Sequence, residues 1–133
     1  MRQRLSGDCL RCPIIAPSFS WSQEAQMSTP ITRHVIERAR MLIADESQWC
    51  RGALARDERG LQVDPTDTTA RRRCAFGALV AAAFELVGDT RQAHDLANVA
   101  ARAIRCTSSL INTNDTEGHA AVLALFDKAL AAY

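Results

Sequence analysis

The side chains best suited to covalent chemistry in this chain are its five cysteines, Cys9, Cys12, Cys50, Cys74 and Cys106, and its three histidines. Cys50, His119 and Asp115 include the three types of a nucleophile, a base and an orienting carboxylate. A working thiol needs an electropositive, partly open setting. Cys50 sits between Trp49 and Arg51, and the competing reading is a small apolar side chain packed beneath a loop. Cys9-x-x-Cys12 has the spacing of half a zinc site or of a redox pair. No second Cys-x-x-Cys follows, and the fuller ligand set would have to draw on His34 and Cys50 without regular spacing. Cys74 and Cys106 read as ordinary core thiols. Asn114-Asp115-Thr116-Glu117 has the form of a capping box, with Asn114 as the cap and His119 in the first turn after it. Arg71-Arg72-Arg73 invites comparison with an anion or nucleic-acid contact, but three consecutive helical residues fan over roughly 200° and cannot share a face.

The charge balance restrains these readings. Sixteen basic residues stand against fifteen acidic ones, a formal net charge of +1. From Met27 onward the count is thirteen of each. That balance gives no general attraction to nucleic acid or to an anionic membrane. No phosphate-cradling glycine loop is present, so no cofactor is expected. An odd number of cysteines without a preceding apolar run of signal-peptide length reads as free thiols in a reducing, cytoplasmic setting. The longest apolar run, Cys74–Val87, is too short for a span and contains Glu85.

The elements that must position these residues follow from periodicity. Residues 1–26 carry two prolines and a serine patch without a clear period, and read as a disordered extension. Residues 27–133 read as a single helical domain. Met27-Ser28-Thr29-Pro30 resembles a capped helix start with proline at its first position. A first helix is expected over Pro30–Asp45, with Ile31, Val35, Ala39 and Leu42 as its stripe. A β-hairpin is expected within residues 49–63, turning at Asp57–Gly60. A second helix is expected from a cap at Thr66 or Asp67 to Val87, apolar all round from Cys74. Gly77 inside it implies a close neighbouring backbone. A third is expected over Thr90–Arg105, then a loop over 106–113, then a last helix burying Val122, Leu125, Phe126, Ala129, Leu130 and Tyr133. The expected fold is thus mainly α: a compact four-helix domain with a short β-hairpin between helices 1 and 2.

Three ordered motifs add a resemblance. Trp49-Cys50-x-Gly52-Ala53-Leu54-Ala55-Arg56-Asp57-x-x-Gly60, then Cys74-Ala75-x-Gly77-Ala78-Leu79, then Asn114-Asp115 before a Val-x-x-Leu-Phe-Asp helix, resemble a family of small bacterial and phage proteins of unknown function. The resemblance covers residues 31–130. Arg73 and Thr113 stand where that family usually carries aromatic residues, so a shared aromatic pocket is not implied. The resemblance implies a shape and an origin without an activity. The expected role is a non-catalytic protein-interaction or regulatory module whose partner is another protein. A thiol-dependent hydrolase or transferase using Cys50 and His119 is the second expectation, and a zinc-binding adaptor the third.

Overall fold

The computed structural model describes residues 20–105 and 107–132. Cys9, Cys12, Cys106 and Tyr133 lie outside the described residues, and with them the Cys9-x-x-Cys12 half-site. The chain is mainly helical. Its elements are α1 (Ser20–Leu42), a 3-10 turn (Glu46–Gln48), β1 (Ala55–Arg56), β2 (Arg72–Arg73), α2 (Ala75–Val87), α3 (Thr90–Ile104), α4 (Thr107–Thr116) and α5 (His119–Ala131). Five helices are therefore described where four were expected.

The centre of the fold is α2. Residues Ala75 through Ala83 are all buried, because the helix is wrapped by α1, α3 and α4. Its small side chains permit close approach, and α3 answers with Ala93, Ala97, Ala100 and Ala101, all fully buried. Gly77 allows the closest contact. A Cβ built there would lie 2.0 Å from the Leu54 carbonyl oxygen, so the expected neighbouring backbone is that of residue 54. Gly88, in the left-handed region at φ 69°, ends the helix. On α1 the inward stripe is Val35, Ile36 and Ala39, continued by Ile43 just past its end, whereas Ile31 is exposed. On α5 it is Val122, Phe126 and Ala129.

Four expectations need correction. Helix α1 begins at Ser20 and carries Pro30 in its interior; the residue that resembled a start signal lies past the second turn. Helix α2 begins seven or eight residues later than expected, at Ala75 with Cys74 as its cap. Arg72 and Arg73 are strand, paired antiparallel with Arg56 and Ala55. The hairpin survives as a turn. Gly60 takes φ 86°, Asp57 N–H donates to Leu61 O (2.9 Å) and Val63 N–H to Ala55 O (3.0 Å). Only one bridge, Arg56 with Gln62, joins its arms; β1 takes β2 as its partner in the sheet, because the chain after Asp64-Pro65 doubles back along Ala55–Arg56. Finally, the expected loop over 106–113 is mostly helix α4, held by Leu110, Thr113 and Asn114, all buried. Among the described residues, no helix is long and apolar enough to cross a membrane.

Candidate functional site

The polar centre of the molecule is Asn114. On α4 it points into the core with no exposed surface. Its Oδ1 accepts from Trp49 Nε1–H at 2.6 Å and from the Ala75 backbone N–H at 2.9 Å. Its Nδ2 donates to the Cys50 carbonyl at 3.1 Å and to Asp115 Oδ1 at 3.1 Å. A side-chain amide offers two lone pairs and two N–H groups, and all four are used. The amide therefore has one orientation, since a flip would set two donors against two donors. Asn114 is not the helix cap expected of it at α5. Gly118 occupies that position, without a side-chain hydrogen bond. Asn114 instead satisfies the orphan first N–H of α2.

The surrounding contacts extend this knot outward. Gly52 N–H also donates to Asp115 Oδ1 (3.0 Å), and the Arg51 guanidinium donates to the Asp115 carbonyl (3.2 Å). The same guanidinium lies 5.2 Å from the Trp49 ring centroid, within cation–π range. His119 lies on another approach to Trp49, with ring centroids 5.5 Å apart at 51°. Its Nε2 is 2.6 Å from the Ile43 carbonyl; a carbonyl only accepts, so Nε2 carries the proton. Asp45, which caps the 3-10 turn through Ser47, has its carboxyl held below the usual range by those Ser47 hydrogen bonds.

Cys50, Asp115 and His119 thus belong to one neighbourhood around Trp49, but each is engaged separately. The Cys50 thiol is 6% exposed and donates to the Ala53 carbonyl. Burial pushes its pKa up, outweighing the downward pull of Arg56, Arg72 and Arg73. A thiol so placed has little thiolate at neutral pH. Among the described residues no hydrogen bond joins Cys50, His119 and Asp115 to one another. Cys74 accepts from Gly77 N–H at 3.3 Å, and burial pushes its thiol up to about 11. Among the described residues no three His, Cys, Asp or Glu side chains cluster as metal ligands.

The model of a family of unknown function, DUF6197, matches residues 27–132. The chain belongs to DUF6197. The matched stretch begins at Met27, inside α1, and takes in the whole Trp49–Asn114 knot. No curated protein and no solved structure gives a match. For this DUF6197 chain the chemistry must accordingly be read from its own side chains. Sequence reasoning singled out Cys50, Asp115 and His119 and missed the roles of Trp49 and Asn114. The Asn-Asp pair ahead of a helix was itself a signal, but its partners lie 65, 39 and 64 positions away.

Proposed function

We propose that this DUF6197 domain is a non-catalytic protein-interaction or regulatory module of bacterial or phage origin, acting in the cytoplasm. One observation carries the reading: the Asn114 amide, on α4, holds the Trp49 indole and the Cys50 carbonyl and with the rest of its hydrogen bonds takes in the first N–H of α2 and its neighbour Asp115. The groups that could do chemistry serve the same end. Cys50 closes a local turn, His119 holds the end of α1 through Ile43, and Asp115 clasps Gly52.

A loop fixed in this way is preorganised, which lowers the ordering cost of binding. Segment 51–73 presents Arg51, Arg59, Arg71 and Arg72 to solvent, with Leu61 57% exposed at its turn. Such a rigid, arginine-bearing surface suits contact with another macromolecule, and arginine is enriched where protein interfaces concentrate their energy.

Affinity capture from a lysate of the source organism tests the reading. Intact protein should retain a specific partner that Cys50→Ser leaves unchanged and that a protein unlocked by Asn114→Ala releases. Absence of any specific partner, or an enzymatic activity lost in Cys50→Ser, would overturn it.

A further inference from the structure

We infer that the ribbon face carrying Arg56 and Arg72, flanked by Arg51 and tipped by Leu61, docks a short acidic segment of a partner protein that also carries an apolar side chain. The inference rests on the interaction reading and adds the chemistry of the partner. Arg56 and Arg72 are directly opposite each other across β1 and β2, so their side chains leave the ribbon on one face. Like charges in that position oppose each other. Gln62, bridged to Arg56 from the other side, extends the face.

Among the described residues no acidic side chain forms an ion pair with Arg56 or Arg72. The three ion pairs, Arg33–Glu37, Arg38–Glu85 and Arg40–Asp127, all join helices or lie within one. Three of the four acids within the segment are turned to their own backbone. Asp57 Oδ1 accepts from the Arg59 and Leu61 N–H groups, Asp64 from Thr66, and Asp67 from Thr69. The Arg56 guanidinium donates to the carbonyls of Gly60 and Arg51, and Arg51 to that of Asp115. These bonds position the charges without neutralising them, which is the state a bidentate carboxylate needs to find. Arg72 is exposed.

The same features favour a peptide over a polynucleotide. Segment 51–73 contains no aromatic residue on which a base could stack. Its four interspersed acids, Asp57, Glu58, Asp64 and Asp67, would repel a continuous phosphate backbone, whereas two carboxylates on a short segment can meet two guanidinia and avoid them. Leu61, exposed at the turn, offers an apolar contact at the end of the ribbon.

The test uses the full-length protein and a fluorescein-labelled twelve-residue peptide of repeated Glu-Glu-Leu, read by anisotropy and by amide chemical shifts. The peptide should perturb residues 51–62 and 71–73, and binding should weaken with added salt. Arg72→Glu should weaken it at least about tenfold, as removal of a charge-assisted contact does. Arg72→Lys should fall between, since lysine keeps the charge and loses the fork. No binding, equal binding to Arg72→Glu, or preference for a duplex DNA of about 20 base pairs would overturn the assignment. If the peptide fails while a lysate partner is captured equally by wild type and Arg72→Glu, the acidic docking site falls and the interaction reading stands.

Discussion

Replacing Asn114 by alanine strands three buried polar groups at once: the indole N–H of Trp49, the backbone N–H of Ala75 and the carbonyl of Cys50. Each unsatisfied buried group costs roughly 1–3 kcal/mol before relaxation. Some relief comes from water entering the space the amide vacates, so we expect a loss of about 3–4 kcal/mol. A domain of this size has only about 5–15 kcal/mol in total. Trp49→Phe should cost less, about 1–2 kcal/mol, because Asn114 Oδ1 keeps its bond to Ala75. Asn114→Asp distinguishes geometry from charge. It retains the oxygen facing Trp49 and Ala75 but turns a second oxygen toward the Cys50 carbonyl and the Asp115 carboxylate. Those neighbours and its burial raise the folded-state pKa of the introduced carboxyl above that of the unfolded chain. The folded variant then binds more protons, so its stability falls as pH rises above about 4. Asn114→Ala should show no such slope. Urea unfolding followed by far-UV circular dichroism measures all of these, with exposed Asn112→Ala as a control expected within about 0.5 kcal/mol of wild type. An Asn114→Ala loss below about 1 kcal/mol, with an unchanged denaturant slope, would refute the view that this amide locks the loop.

Other outcomes follow from the same geometry. Gly77→Ala should destabilise by about 2–3 kcal/mol in thermal melts, although alanine is the better helix former, because its Cβ would lie 2.0 Å from the Leu54 oxygen. Cys50 and Cys74 should be alkylated by iodoacetamide at pH 7 at least about tenfold more slowly than a free cysteine, as peptide mass spectrometry of native protein would show. The Cys74 thiol, raised from 9.0 to about 11 in the fold, stays protonated where the unfolded chain ionises. Its contribution is intact below pH 9 and is lost as pH rises toward 11, on the order of 2 kcal/mol; Cys74→Ala should lack that loss. Glu85→Gln breaks the exposed Arg38–Glu85 pair and should change stability by less than about 1 kcal/mol in urea unfolding.

How legible the fold was depended on how local its causes are. Helix α3 was readable almost to the residue, since Asp89 accepts from Gln92 N–H as its cap and alanines recur on one face. The burial of α2 was equally plain from its unbroken apolar run. The arginine triplet misled because a cap at Thr66 or Asp67 and a long apolar run suggested one continuous helix. In the fold Asp64 and Asp67 close small turns with Thr66 and Thr69 instead, and Arg71 N–H donates to Arg56 O at 2.8 Å. Helix α4 was missed because its sequence, Thr-Ser-Ser-Leu-Ile-Asn-Thr-Asn-Asp-Thr, carries eight residues of poor helix propensity, worth about 4 kcal/mol against alanine. At the site, the neighbourhood of Cys50, Asp115 and His119 was legible in part, but their hydrogen-bond partners were not. Those partners are largely backbone groups brought near by the fold, and residue identity does not mark them.

Two weak segments therefore hold each other. Helix α4 lacks the propensity to stand alone, and the chain from Trp49 to Arg73 contains only two-residue strands, which are marginal by themselves. Beyond the burial of Leu110 and the pairing of β1 with β2, one set of bonds ties the two together: Trp49 and Cys50 to Asn114, and Arg51 and Gly52 to Asp115. The first N–H of α2 is tied into the same set through Asn114. Order in each segment thus supports order in the other. Fully satisfied buried polar groups favour one arrangement because every alternative leaves some of them unpaired. The consequence is that the geometry of the arginine-bearing loop is tied to the seating of Asn114, and through it to α4.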